Sequence, residues 1–273
     1  MGSAGTKDAT GPSEAAGAMR PVFSRRTLSA RTTFGASCVL PSPVVAEALG
    51  RSGLDWVMID RQHGLVDEHA MVGMLQALAI SPVLPLVRVS ANDAAEIGRA
   101  LDAGAGGVVV PMVGSRAEAE AAVQAVRYAP VGKRSWGPTR AAWQAPVVTE
   151  PEEGLLFVMV ETAEAFAEAG AIVATPGVDG VWVGTSDLAV SLGLPPRDHL
   201  HPRVREYAIE LARLCGEAGL AAAIGAQSPE QAAAWMEAGF QMLSLGRDLA
   251  LMSDRLAERL EAYRDLPRPA AGR

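Results

Sequence analysis

The chain has 273 residues, 49% of them hydrophobic, and a formal net charge of −7 from 24 Lys+Arg against 31 Asp+Glu. That length buries a full core as one large α/β domain or two small ones; the scattered basic residues argue against nucleic acid or an anionic membrane as partner. No apolar run is long enough for a membrane span, and the widely separated Cys38 and Cys215 read as buried thiols of a reducing compartment, the cytoplasm, and not as a disulfide framework.

Residues 1–22 are rich in Gly, Ala, Ser and Thr, lack the apolar stretch of a signal peptide, and read as a disordered tail; 267–273 reads as another. Between them, apolar runs of buried-strand character alternate with helical patterns. Strand 34–40 is followed by helix 43–51, opened by Ser42-Pro43, and strand 56–59 by helix 68–79. Strand 83–89 leads to helix 93–103, stopped at Gly104, and strand 107–110 to helix 115–128. Strand 155–160 precedes helix 163–174, and strand 181–183 precedes helix 202–218, opened by His201-Pro202. Strand 221–224 precedes helix 229–238, between Ser228-Pro229 and Gly239, and strand 242–245 precedes helix 249–263. Proline in a first turn and glycine after a last one are start and stop signals. Eight such units over residues 23–266 predict a single-domain (β/α)8 TIM barrel. A doubly wound sheet would want a Gly-rich turn after its first strand, where Leu40-Pro41-Ser42-Pro43 stands. One interval, from about 129 to 154, breaks the rhythm. It carries Arg134, Trp136, Gly137 and Arg140 and is expected to close over something anionic.

A barrel gathers residues at the carboxyl ends of its strands onto one face. Those residues are Asp60, Gln62 and His63 after the second strand, Arg88 on the third, Glu161 after the fifth and Asp187 after the sixth. Two carboxylates with open positions suit a hard divalent ion such as Mg²⁺ or Mn²⁺; no Cys or His pairs stand at zinc-ligand spacing. A carboxylate pair also serves glycoside hydrolysis, but that leaves Arg88 and His63 without roles. The two lysines, Lys7 and Lys133, lie in the tail and in the long loop, so no strand offers the desolvated amine of a Schiff-base aldolase.

Five segments carry a resemblance: Asp60-Arg61-Gln62-His63-Gly64; Leu86-Val87-Arg88; Asp102-Ala103-Gly104 with Val110-Pro111-Met112; Val160-Glu161-Thr162; and Gly184-Thr185-Ser186-Asp187-Leu188 with Ser191-Leu192-Gly193. In this order, from about residue 23 to 252, the chain resembles the metal-dependent 2-oxo-acid aldolases. That family includes 4-hydroxy-2-oxoheptanedioate and 2-dehydro-3-deoxyglucarate aldolases, with citrate lyase beta subunits as distant relatives. The basic stretch 25–31 matches its opening helix. The resemblance implies an aldolase that cleaves or forms 4-hydroxy-2-oxo acids through a metal-bound pyruvate enolate, with Mg²⁺ or Mn²⁺ and Co²⁺ as a further candidate. It makes Glu161 and Asp187 the metal ligands and His63 the base. It makes Arg88 the stabiliser of the enolate, Asp102 the carboxylate that raises the basicity of the histidine, and Asp60 a further acidic partner in that network. Ser186 falls where a backbone N–H holds the substrate carboxylate.

Two positions depart from the pattern. Gln62 stands where some members carry Glu, and Met159 where some carry Gln, so the preference of acidic-substrate members does not transfer with the reaction class. The alternatives are a related lyase or decarboxylase acting on oxaloacetate-like acids or acyl-CoA thioesters, and a barrel that only binds an oxoacid. The resemblance further implies a homohexamer with the last helix on a neighbour. The chain adds its own reasons: an apolar stripe of Leu249, Leu251, Met252, Leu256, Leu260 and Tyr263 at helical spacing, and Trp and Met numbers typical of interfaces.

Overall fold

Continuous Val, Leu and Ile runs bounded by capped helices make this chain wind as repeated strand–helix units. The computed structural model describes residues 23–143, 148–150, 153–198, 200–264 and 266; the two expected tails, 1–22 and 267–273, lie outside the described residues. In chain order the elements are β1 (Phe23–Ser24), α1 (Arg25–Ala30), β2 (Thr33–Cys38), α2 (Pro43–Gly50), β3 (Trp56–Asp60), α3 (Glu68–Leu78), β4 (Leu84–Arg88), α4 (Ala94–Asp102), β5 (Gly107–Val110) and α5 (Arg116–Val126). There follow β6 (Val148–Glu150), β7 (Leu155–Val160), α6 (Ala163–Ala167), α7 (Ala169–Val173), β8 (Gly180–Val183) and α8 (Thr185–Ser191). The chain continues with α9 (Pro202–Ala218), β9 (Ala221–Gly225), α10 (Pro229–Glu237), β10 (Met242–Arg247) and α11 (Asp248–Arg264).

Parallel strands β2, β3, β4, β5, β7, β8, β9 and β10 close into a barrel, β10 pairing with β2. The start signals act as expected: Ser42 accepts a hydrogen bond from the Val45 N–H, Ser228 from the Gln231 N–H, and His201 from the Arg203 N–H, each with proline at the first helical turn. The short strands β1 and β6 were not foreseen, and neither were two features of the helices. The segment read as one helix over 163–174 is broken at Glu168 into α6 and α7, and α8 is a separate short helix before α9.

Side chains alternate across the barrel wall. Met58, Leu86, Val109, Met159 and Trp182 fill the interior, where Trp56 meets Trp182 edge-on at 5.2 Å. Their neighbours Ile59, Val87, Val110, Val160 and Val183 face out under the helices. The lower end of the interior is stoppered by Phe23, Leu28 and Val148, because β1 and β6 pair with each other beneath the barrel. Buried Asp179, just before β8, holds this end together: it accepts from Arg25 Nε (3.0 Å), Arg127 Nη2 (2.7 Å) and the Leu156 N–H (2.8 Å).

The described part of the long interval does not cover the site of its own barrel. It connects the end of α5 to the start of β7, so it belongs to the amino-terminal rim, at the far end from the strand carboxyl ends. Its arginines are spent on the protein: Arg134 donates to Asp102 Oδ1 (2.5 Å) and the Glu153 carbonyl (3.2 Å), and Arg140 to the Ala103 carbonyl (2.8 Å).

Helix α11 starts from a buried anchor and then leaves the barrel. The Asp248 carboxylate accepts from the N–H groups of Val39 (3.0 Å), Leu40 (3.1 Å) and Leu249 (2.8 Å), and from the Cys38 thiol (3.3 Å). The described side chains beyond it, apolar stripe included, are exposed. Both cysteines are free and buried. Burial pushes the Cys215 thiol up to about 12, and burial with the Asp248 carboxylate pushes that of Cys38 higher still. Neither is a reactive thiolate.

Candidate active site at the carboxyl ends of the strands

One more step of the in–out alternation, past Met58, Leu86, Met159 and Trp182, brings Asp60, Arg88, Glu161 and Gly184 to the top of the barrel interior. Asp60 and Arg88 are register partners on adjacent strands. The guanidinium grips the fully buried carboxylate with both prongs, Nε to Oδ1 at 3.0 Å and Nη2 to Oδ2 at 2.5 Å, the bidentate form that fixes orientation as well as charge. Asp60 Oδ1 also accepts the backbone N–H groups of Gln62 (3.0 Å) and His63 (3.1 Å). Burial pushes the Asp60 carboxyl up, but Arg88 and these two N–H groups outweigh it and hold it below the usual carboxylate range. Asp60 therefore reaches His63 through the main chain, not through the imidazole.

The third guanidinium nitrogen of Arg88, Nη1, lies 3.9 Å from Met159 Sδ. Met159 thus packs in the interior and touches the site at once. The turn after β3 has a second tie that the sequence pattern did not reveal: Arg61 donates its N–H to the Arg88 carbonyl (2.9 Å) and its Nη1 to Glu96 Oε2 (2.7 Å) on α4. Gln62 Oε1 is buried without a hydrogen-bond partner among the described residues. His63 stands exposed at the mouth, its imidazole making no hydrogen bond among the described residues.

Glu161 is buried. Its Oε1 accepts the Met112 N–H at 2.7 Å, while Oε2 has no partner among the described residues. Burial pushes its carboxyl up; the Met112 N–H opposes this, Asp187 adds to it and Arg88 opposes it. Asp187 and Ser186 are exposed in the first turn of α8, which begins at Gly184 without a side-chain cap. Gly184 is also required for space, because a Cβ there would collide with Glu161 Oε2.

These features fit a divalent cation. A buried carboxylate oxygen lacks a partner, a second carboxylate is close enough to disfavour its charge, and a glycine leaves room beside it. No cluster of three His, Cys, Asp or Glu is present among the described residues. Two protein oxygens leave positions for water and substrate oxygens, as Mg²⁺ sites do.

The structure brings together Asp60, His63, Arg88, Met159, Glu161, Ser186 and Asp187, and it separates Asp102. That residue ends α4 on the amino-terminal rim, paired with Arg134, so within one protomer it cannot act on His63. Met112 was missed. It is the one non-glycine residue with positive φ among the described residues, a conformation that its residue type does not signal.

The relatives of this chain make it an enzyme that works on carbon–carbon bonds, a lyase. The chain belongs to the HpcH/HpaI aldolase/citrate lyase family, whose model matches residues 38–254. It is 34% identical over 256 residues to a hydroxypyruvate/pyruvate aldolase of Pseudomonas aeruginosa, covering 91% of this chain and 95% of that one. It is also 34% identical over 250 residues to a pyruvate aldolase of Rhizobium etli, covering 87% and 96%. A crystal structure of an HpcH/HpaI aldolase/citrate lyase family protein from Burkholderia cenocepacia superposes with a TM-score of 0.80 at 30% identity, over 88% of this chain and 98% of that one.

Proposed function

We propose that this protein is a divalent-metal-dependent pyruvate aldolase, cleaving 4-hydroxy-2-oxo acids to pyruvate and an aldehyde or running the reverse addition. The observation that carries the reading is Glu161: a buried carboxylate with one oxygen held and the other unpartnered, beside Asp187 and on the same rim as Arg88 and His63. Glu161 Oε2 and Asp187 would hold Mg²⁺, Mn²⁺ or Co²⁺. Such an ion, when bound, draws electron density from a keto oxygen and so eases removal of the adjacent proton. Arg88 is clamped by Asp60, so its Nη1 is the prong left to donate to the oxygen on which enolate charge develops. The Ser186 backbone N–H holds the pyruvate carboxylate. His63, on a turn fixed through Asp60, takes the hydroxyl proton in cleavage and returns it in addition. Met159 places a thioether beside Arg88, so recognition at this position is by packing and not by an amide.

Proton exchange tests the reading most directly. With pyruvate in deuterated water, the enzyme should wash deuterium into the methyl group at a rate set by added Mg²⁺ or Mn²⁺ and abolished by EDTA. Absence of exchange with any divalent ion would rule out the aldolase and leave an oxoacid-binding barrel, whereas exchange indifferent to the chelator would rule out the role given to the metal. A panel of aldehydes offered with pyruvate then identifies the acceptor.

The assembly belongs to the same reading. We take the protein to be a cytoplasmic homo-oligomer, with six subunits as the expectation. Helix α11 does not cover its own strands: Leu256 and Tyr263 are 68% and 66% exposed, an apolar face that a second copy would bury. A second copy is also the only source of an Asp102 for His63, since each protomer holds its own on the opposite rim. Ending the chain before Leu249 should give particles of lower mass in light scattering and remove activity. An active monomer, full-length or truncated, would overturn this part.

A further inference from the structure

Nothing in the residue type of Met112 explains its backbone. Its φ is +56°, in the left-handed region that non-glycine residues seldom occupy and that is usually held by the surrounding structure where it occurs. Here the surroundings are plain. Pro111 precedes it with a fixed φ. The Met112 N–H donates to Glu161 Oε1 (2.7 Å), and the next N–H, that of Val113, donates to the Met159 carbonyl (3.1 Å). The segment leaving β5 is thus sewn onto the end of β7 by two consecutive N–H groups, one of them ending on the carboxylate itself. On the other side of that carboxylate stands Gly184, with no side chain to take up the space beside Oε2. One oxygen is tied and the other has room. The side chain of Met112 is 54% exposed, so burial of its own atoms does not account for the conformation.

We propose that Met112 is a positioning residue for Glu161: its left-handed main chain aims an N–H at Oε1 and so presents Oε2 as the open donor. The inference rests on the metal-dependent reading above and adds to it a main-chain group that sets the orientation of the ligand. Its consequences follow from backbone geometry. Glycine takes a positive φ without penalty and keeps the N–H. Valine, β-branched, is disfavoured there. Proline both fixes φ near −65° and lacks the donor.

The test is Mn²⁺ binding to the metal-free full-length protein, followed by electron paramagnetic resonance without substrate or turnover. Met112→Gly should bind as the wild type does. Met112→Val and Met112→Pro should bind about 10- to 100-fold more weakly, the range for losing an outer partner of a metal ligand. Circular dichroism reports whether each variant folds, and Met112→Val carries the test if Met112→Pro does not. Wild-type affinity in Met112→Val, or in a folded Met112→Pro, would overturn the proposal. So would a Met112→Gly as weak as Met112→Val. Glu161→Gln separates the two levels. If it loses Mn²⁺ while the Met112 variants keep it, only the positioning role falls; if it binds like the wild type, the ligand assignment falls and the positioning role with it.

Discussion

Glu161→Ala is expected to remove turnover, by roughly a thousandfold or more, while leaving the barrel folded, and Asp187→Ala to do the same. The size follows from the charge on the developing enolate: a bound cation is worth several kcal/mol at that oxygen, and each 1.36 kcal/mol is about tenfold in rate. The fold survives for a different reason in each case. Glu161 is buried with a single hydrogen bond, so its removal relieves desolvation as well as costing a contact, while Asp187 is exposed and supports no packing. The measurement is the rate after chelator treatment and metal add-back, with far-UV circular dichroism as the control for folding. Near-normal turnover in either variant would remove that residue from the ligand set.

Arg88→Lys is expected to cost about 10²- to 10³-fold in kcat, the range for losing one oxyanion-hole donor. The charge stays, but the fork does not. Arginine satisfies Asp60 with Nε and Nη2 and still has Nη1 to offer, whereas a lysine ammonium is a mobile point charge that must choose. An effect below about tenfold would make Arg88 a structural member of the rim. The same pair sets a stability expectation. Because the Asp60 carboxyl is held below its ordinary range in the folded protein, its contribution is present above the unfolded value, about pH 3.9. It is lost as pH falls through the lower folded value. Arg88→Ala, which strands a buried carboxylate, should therefore destabilise at neutral pH by roughly 3–5 kcal/mol, and by less in acid.

Much of this site can be found without coordinates. Strand alternation has a period of two, so identifying Met58, Leu86 and Met159 as inward-facing is enough to put Asp60, Arg88 and Glu161 inward at the next step. The caps at Ser42, Ser228 and His201 are equally local: a side chain and an N–H two or three residues away. Order along the chain then assembles eight units into one barrel, because a parallel strand pair needs a crossover helix and the eight strands close on themselves.

Other features have no local signature. Arg134, Trp136 and Arg140 have the composition of an anion-binding loop, yet the guanidinium groups are consumed by Asp102, Glu153 and Ala103 on the amino-terminal rim. Composition states what a loop can bind; position in the strand–helix order states which end of the barrel it occupies. Asp102 fails as a partner for its own His63 for the same reason: a helix that returns antiparallel to its strand ends at the opposite rim. Met112 takes a left-handed turn because Pro111, Glu161 and Met159 hold it there, a constraint that arises only when two strands meet. The apolar stripe of α11 shows that a face is to be buried and not by what. The anchor at Asp248 decides that the helix leaves its own barrel, since hydrophobic burial has no direction and only the tertiary geometry supplies one.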